Sequence, residues 1–506
     1  MAKICVPICV SKIDEVRDAM DTATAVADII ELRADCFPLT DSSVLMQTIS
    51  NLSKPWILTL RSPEQDGRSA NDFAARRRFW MSSADLPAES LVDLELDMVD
   101  EFWRGESAGQ LPINWQNVIC SHHDFRGVPP DLGQIYESMA ATPAGVLKIA
   151  VTARDATDCL PAFELLARAE KENRKIIAIA IGQPGLMTRI LGPARGSFLT
   201  YAPVTEDVGT APGQITVAEL RDMYRINRIN PATEIFGILG QPVSHSLSPH
   251  IHNAAFAAKG LDAVYLPFEA SDACAFIRRM VHPKTRELDW ELRGLSITAP
   301  HKSIIMQELD WIDPAGLEIG AVNTIVVKGQ ELHGYNTDAA GFISPLRNAL
   351  GSARGARCAV VGTGGAARAC IWGLKHEAAE VTVVAREAAK AAFLATAFDV
   401  RSAKFPLTSF ADFDVVINTT PLGTHGDHED DSIATAEQLR GVRLAYDLVY
   451  NPRETKFLRA ARTAGCEALS GIEMLLAQAV EQFKLWTGTQ PDSDVMRSAA
   501  WGRLPD

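Results

Sequence analysis

The chain lacks a metal-type cysteine pattern, a long apolar run and an excess of positive charge, and each absence closes a class of function. Nine cysteines (Cys5, Cys9, Cys36, Cys120, Cys159, Cys274, Cys358, Cys370 and Cys466) are scattered along 506 residues without a CxxC pair. An odd, dispersed set suits reduced, buried thiols in a cytoplasmic protein, not a disulfide scaffold or a zinc site, so no metal is expected. No uninterrupted apolar run could span a bilayer, and the opening MAKICVPICV has no signal-peptide core before Lys12 and Asp14. A cytoplasmic protein with no membrane partner is expected. The formal net charge is −14, from 49 Lys plus Arg against 63 Asp plus Glu, which argues against nucleic acid as the main partner. Small anions remain open, because a local arginine cluster can oppose the global field. What is present is a globular composition, 47% hydrophobic and 22% charged, in a chain long enough for two to four domains.

Residues 1 to about 225 alternate short apolar runs with longer helix-like segments. The runs are KICVPICV, DIIELRAD, PWILTLR, SLVDLELD, NVICSHHDF, GVLKIAVTA, KIIAIAIG and SFLTYAPV. Near-continuous apolar runs are the mark of parallel strands covered on both faces, and this many with intervening helices is the count of a (β/α)8 TIM barrel. Pro7 inside the first run is a flaw for an ideal strand. A barrel keeps its chemistry at the C-terminal strand ends. Those ends carry Glu31 and Arg33, Arg61, His123, Lys148, then Arg189, with Thr210 and Gln214 near the eighth.

Alone, Lys148 would be explained by a side chain snorkelling out of its strand, and His123 by a loop cap. Together, the ends describe a site for an anionic carbonyl compound: arginines to clamp a carboxylate, a lysine to attack a ketone and a histidine to move protons. Lysine attacks only as the neutral amine, and apolar surroundings with nearby arginines are expected to strip its proton. His122 is the weaker neighbour, since successive strand side chains face opposite ways.

ELRAD, LTLRS, SHHDF, the lysine of LKIA and TAPGQ occur in the order found in type I 3-dehydroquinate dehydratases, which this half resembles. The resemblance implies Lys148 as Schiff-base nucleophile and His123 as general acid/base. It implies Glu31, Arg33, Arg61, Arg189, Thr210 and Gln214 as substrate contacts. Many members follow the third-strand arginine with an acidic residue and two glycines; here the stretch reads RSPEQDGR, which leaves the roles of Glu64 and Gln65 open.

A polar connector near residues 225–233 leads to EIFGILGQPVSHSLSPHIHNAAF. A helix is expected to open at Ser248-Pro249 with the serine as N-cap. Ser246 and Ser248 could hold a polyol, though either could simply cap. GLSITAPHK supplies Thr298 and Lys302, AVNTIVV gives Asn323, and GYNTDAAG gives Asp338; each singly suits a turn as well as a site. CAVVGTGGAARAC is a strand feeding Gly362, Gly364 and Gly365, with Ala366 and a helix behind them. Such a turn lets a pyrophosphate approach the backbone at a helix N-terminus. Where a carboxylate would bind an NAD ribose stands Arg386, a cation suited to the 2′-phosphate of NADP, with Glu387 beside it. DVVINTTPLGTHG places Asn418 and Thr420 toward the cofactor, and Gln478 lies on a late amphipathic helix whose Met, Leu and Phe stripe reads as core.

From SHSLSPHIHN to LLAQAVEQFKLWTG this half resembles shikimate dehydrogenase. The resemblance implies Ser246, Ser248, Thr298, Asn323 and Gln478 as substrate contacts and Lys302 with Asp338 as the catalytic pair. Gly362, Gly364, Gly365, Ala366, Arg386, Asn418 and Thr420 become the expected NADP(H) contacts. Ser296 stands where the family usually has asparagine. The expected architecture is α/β throughout: a barrel over 1–226, a substrate domain over 234–340 and a Rossmann domain over 341–506 whose last helix returns to the substrate domain. The product of the first family is the substrate of the second, as in bifunctional plant-type enzymes of aromatic amino-acid synthesis. The expected partners are therefore small molecules (3-dehydroquinate, 3-dehydroshikimate and shikimate), and a monomer is consistent with this. A class I aldolase, an NAD-linked quinate dehydrogenase and a non-enzymatic metabolite sensor are the alternatives.

Overall fold

The computed structural model describes residues 2–36, 54–83 and 90–504, which divide into two compact units. The first spans residues 1–233 and takes in 267–271 and 287–291; the second holds the remainder. In the first, β1 (Ile4–Ile8), β2 (Ile29–Arg33), β3 (Trp56–Thr59), β4 (Leu91–Glu95), β5 (Val118–Asp124), β6 (Val146–Thr152), β7 (Lys175–Ile181) and β8 (Thr200–Tyr201) make one sheet. Its order is β7-β6-β5-β4-β3-β2-β1-β8, all pairs parallel. A parallel bridge between Ile176 and Ser197 joins the two ends and closes the barrel. Helices follow β1, β3, β4, β5, β6 and β7; the connection from β2 to β3 falls largely outside the described residues. Pro7 lies within β1, opposite Glu31, and the strand runs through it.

Side chains alternate across a strand, so one inward layer predicts the next. Cys5, Ile29, Ile57, Ile119, Val146 and Ile177 pack together as an apolar plug. Two residues further along the same strands stand Glu31, Thr59, Ser121 and Lys148, with Asp93 two beyond Leu91, and all five are buried. A polar layer is thus stacked directly on the apolar one. Lys148 has not escaped its strand; it occupies the interior position that the alternation assigns to it.

Seven cysteines are free and buried, as expected of reduced thiols. Cys9 and Cys36, just past the ends of the adjacent strands β1 and β2, are instead joined by a disulfide. Strand pairing holds their Cα atoms 5.4 Å apart, within bridging range, a proximity that their sequence spacing did not reveal.

The second unit has two six-stranded sheets. One comprises β9 (Glu234–Gly240), β10 (Ala263–Glu269), β11 (Leu292–Ile297), β12 (Trp311–Ile312), β13 (Thr324–Lys328) and β14 (Glu331–Tyr335), ordered β10-β9-β11-β13-β14-β12. The other comprises β15 (Arg357–Val361), β16 (Glu380–Ala385), β17 (Arg401–Lys404), β18 (Val415–Asn418), β19 (Leu444–Asp447) and β20 (Glu467–Ser470). Its order, β17-β16-β15-β18-β19-β20, is the doubly wound dinucleotide-binding arrangement, with the strand order reversing between β15 and β18. The helix Gly471–Thr487 ties the two sheets together. Its Met474 sits in the core under the parallel sheet, while Leu476 and Phe483 pack with Phe236, Ile251 and Phe256 of the other. Among the described residues no helix is long and apolar enough to cross a membrane.

This helix runs tightly along the helix Asp338–Leu350. A Cβ added at Gly341 would lie 2.7 Å from Cβ of Gln478 and 2.9 Å from its backbone nitrogen. Gly341→Ala is therefore expected to destabilise the second unit by roughly 1–3 kcal/mol through overpacking, read as a lower urea midpoint.

Candidate functional site

The barrel mouth opens into a cavity of about 530 Å³ lined by all eight residues expected there: Glu31, Arg33, Arg61, His123, Lys148, Arg189, Thr210 and Gln214. Lys148 is its centre. Its Nζ donates to Asp93 at 2.8 Å and to Glu31 at 3.4 Å and lies 4.4 Å above the Tyr201 ring. Its surroundings differ from the apolar, cationic setting expected: two buried carboxylates stand beside it, placed there by the inward alternation of β2 and β4. Asp93 also accepts from Arg61 at 3.1 Å and from the Ser121 hydroxyl at 2.6 Å. Burial alone would push the Asp93 carboxyl up; Arg61 and Lys148 outweigh it and hold the group well below the usual range.

Arg61 donates to Ser121 at 2.9 Å and lies 3.5 Å from Glu95. Arg33 is gripped by Asp35 through two bonds of 2.9 and 2.8 Å. His123 faces the cavity, whereas His122 does not line it. Burial first, then Arg61 and Lys148, keep the His123 imidazole well below its ordinary pKa, which favours the neutral ring. Thr210 and Ala211 donate their backbone N–H groups to Gln214, which holds their loop.

Arg189 is 2% exposed and its Nε has no hydrogen-bond partner among the described residues. Burial pulls its pKa down to about 10. An uncompensated guanidinium facing a cavity is an anion site in waiting.

In the second unit a cleft of about 1130 Å³ is lined by Ser246, Ser248, Thr298, Lys302, Asn323, Asp338 and Gln478. Lys302 donates to Asp338 at 2.5 Å, and Asn323 donates to the other Asp338 oxygen at 2.8 Å. Asp338 is the first residue of its helix, where a carboxylate is favoured. Ser248 is not the N-cap expected of it. It is the first helical residue, and its backbone N–H donates to Ser246 Oγ at 3.2 Å, so Ser246 serves the helix end.

The glycine turn lies beside this cleft: Ala366 lines it, and a Cβ at Gly365 would sit 3.2 Å from Cδ of Lys302. A Cβ at Gly364 would meet nothing within 4 Å, so the turn leaves open space at the N-terminus of the helix Gly365–His376. Gly362 has φ +127 and packs on Thr419, a conformation and a clearance that a side chain would violate. Arg386 is exposed just past β16, and Glu387 is engaged by Lys390 at 2.6 Å. Open space at a helix N-terminus with a nearby cation fits a phosphorylated dinucleotide.

Residues 4–231 match the family described as type I 3-dehydroquinase. Residues 238–325 match the shikimate dehydrogenase substrate binding domain, 351–441 a putative NAD(P)-binding family, and 471–500 the shikimate 5'-dehydrogenase C-terminal domain. A bifunctional 3-dehydroquinate dehydratase/shikimate dehydrogenase, chloroplastic, from Arabidopsis thaliana is 32% identical over 96% of this chain and 82% of its own length. The chain belongs to this bifunctional family. A shikimate dehydrogenase (NADP(+)) from Methanosarcina acetivorans is 40% identical over 52% of this chain and 96% of its own. A crystal structure of a shikimate dehydrogenase in complex with NADP+ aligns with TM-score 0.51 and 32% identity, over 55% of this chain and 98% of that one.

Several residues of this bifunctional chain's sites were not singled out from sequence. Asp93 and Glu95 sit two apart in β4, the spacing that turns both inward, and that alternation was the available signal. Ser121 lies two before His123 on β5 and faces the same layer. In the second unit the Ser296 hydroxyl accepts from Tyr265 at 2.7 Å and donates to Gln482 at 2.8 Å. Nothing local in the sequence links these three.

Asn418, expected at the cofactor, has its side-chain bonds within the protein. It is fully buried, its amide donates to Leu422 and Asp447, and its oxygen accepts twice from Thr420. With its polar atoms spent, it shapes the turn that presents Thr419 and Thr420.

A cation whose folded pKa is lowered to about 10 costs stability at every pH below that value, including neutrality. Arg189→Met should therefore raise the thermal midpoint of the free protein at pH 7, by an amount equivalent to about 1–3 kcal/mol, while weakening binding of carboxylate ligands in the barrel. Calorimetry with and without ligand reads both.

Proposed function

We propose that the barrel dehydrates 3-dehydroquinate to 3-dehydroshikimate through a Schiff base on Lys148, and that the second unit reduces 3-dehydroshikimate to shikimate with NADPH. The observation that carries the first step is the buried Lys148, ion-paired to Asp93 and Glu31 and lining one cavity with the His123 imidazole. Arg189 and Arg61 draw the substrate carboxylate and hydroxyls into the cavity. His123 takes a proton from the Lys148 ammonium, and the amine adds to the C3 ketone. The ketone oxygen takes one proton from the attacking nitrogen and the other back from His123, leaves as water and gives the iminium. The neutral imidazole then removes a proton from C2 and delivers it to the C1 hydroxyl, which leaves as a second water. Hydrolysis of the conjugated iminium frees product and lysine. Asp93 and Glu31 stabilise each cationic stage.

In the second unit bound NADPH supplies the hydride. Gly362, Gly364, Gly365 and Ala366 would cradle its pyrophosphate, Arg386 its 2′-phosphate, and Thr420 lies close by on the adjoining turn. Ser246, Ser248, Thr298, Asn323 and Gln478 orient the substrate's hydroxyls and carboxylate. Lys302 gives a proton to the C3 oxygen, and Asp338, bonded to both Lys302 and Asn323, holds the ammonium in place. The division into 1–226, 234–340 and 341–506 belongs to this proposal, and its first boundary is supported by the break between compact units after residue 233. For a cytoplasmic setting, the seven free buried thiols speak in favour and the Cys9–Cys36 disulfide against.

Lys148→Ala should lower dehydration by about 1,000-fold or more while leaving NADPH-dependent reduction of added 3-dehydroshikimate intact. Borohydride with 3-dehydroquinate should leave an adduct on the Lys148 peptide of the unaltered chain, and its absence would remove the Schiff base. Arg386→Ala should raise KM for NADP about 10- to 100-fold with little change for NAD, because only the phosphate contact is lost. Equal changes for both nucleotides would refute the phosphate role.

A further inference from the structure

Gln65, at the end of a short turn after β3, reaches the catalytic histidine. Its Oε1 lies 2.9 Å from the backbone nitrogen of His123 and 3.1 Å from ring Nδ1. A backbone N–H can only donate, so the amide atom facing it must be the oxygen. The same oxygen faces Nδ1, and an oxygen of an amide can only accept. Nδ1 therefore carries the proton, and Nε2 is left with the bare lone pair. The contact thus settles both the amide orientation and the tautomer without sight of a hydrogen.

The turn is anchored rather than loose. Ser62 donates its backbone N–H to Glu95 at 2.9 Å, and Arg61 and Arg68 donate theirs to Asp35 at 3.3 and 2.9 Å. Gly67 closes it, since a Cβ there would lie 2.3 Å from the Arg61 carbonyl oxygen.

We propose that Gln65 is a positioning residue for the dehydration: its oxygen fixes the Nδ1–H tautomer of His123, and its lack of charge keeps the ring uncharged until it receives a proton from Lys148 or the substrate. The inference rests on His123 being the general acid/base. The charged groups acting most strongly on the ring are Arg61 after β3, Lys148 on β6, Arg33 at the end of β2 and, opposing them, Asp93 on β4; the carboxylates of Glu31 and Asp66 line the same cavity. Phe125 stacks on it, with ring centroids 6.3 Å apart. Burial and the cations together outweigh the carboxylates, so a neutral Gln65 leaves the surroundings set against an imidazolium. A carboxylate in its place would reverse that bias.

The deciding experiment is the pH dependence of kcat/KM for 3-dehydroquinate dehydration in the full chain. Glu at this position keeps the oxygen and adds a charge, so Gln65→Glu should move the acid limb upward by about 1–3 pH units. The sign follows because a raised histidine pKa delays appearance of the neutral base to higher pH. Gln65→Ala should lower kcat about 10- to 100-fold with KM little changed, and ring ¹⁵N spectra should show His123 losing its single tautomer. An acid limb for Gln65→Glu superimposable on that of the unaltered chain would overturn the proposal, as would an unchanged tautomer and rate in Gln65→Ala. His123→Ala separates the two levels. Inactivity there with an unmoved Gln65→Glu limb sinks only the role of Gln65, whereas full activity removes the acid/base reading itself.

Discussion

The carboxylate of Asp93, with no measurable exposure of its side chain, holds the barrel site together. It accepts from Lys148, Arg61 and Ser121 at once, and each of these partners is itself buried. Every one of these charges is costly to take out of water, by several kcal/mol apiece, and each is tolerable only because the others are present. Electrostatically the layer stands or falls as a set. An apolar plug lies directly beneath it, so no water reaches these groups from below. That plug is also what makes the layer a catalytic resource: in such surroundings a change of one proton alters the energy of every neighbour.

The same set bears on the Schiff base proposed at Lys148. Its Nζ pairs with Asp93 and Glu31, and in that proposal an iminium would stand beside the same two carboxylates. His123 works against this background. Burial and the neighbouring cations hold its pKa well below the ordinary value, while Arg189 Nε has no hydrogen-bond partner among the described residues.

The second unit solves a different problem, that of bringing two sheets to one cleft. The glycine turn after β15 abuts the stem of Lys302, so the turn and the cleft share a boundary. The helix Gly471–Thr487 fixes their relation by contributing to the cores under both sheets while its polar edge turns Gln478 and Gln482 toward the substrate side. Ser296 illustrates how a departure from the family pattern is absorbed. Tyr265 and Gln482 close upon its smaller side chain from two other elements, and no polar atom of the three hydroxyl and amide groups is stranded.

Much of this was legible in the chain itself. Eight apolar runs, the polar residues at their ends, the glycine turn and Arg386 are local patterns, and local patterns depend on backbone geometry with fixed periods. Those periods assign an inward face to Lys148 without reference to any other strand. They do not say what lies across the barrel, because register between strands far apart in sequence is a tertiary property. Only the fold decided that Asp93 meets Lys148, that Gln65 meets His123, that Cys9 meets Cys36, and that Asn418 is spent on its own turn. Each depends on two segments whose proximity is created by closing a sheet or tightening a loop, and chemistry of that kind is written in distances, which a linear order of residues does not contain.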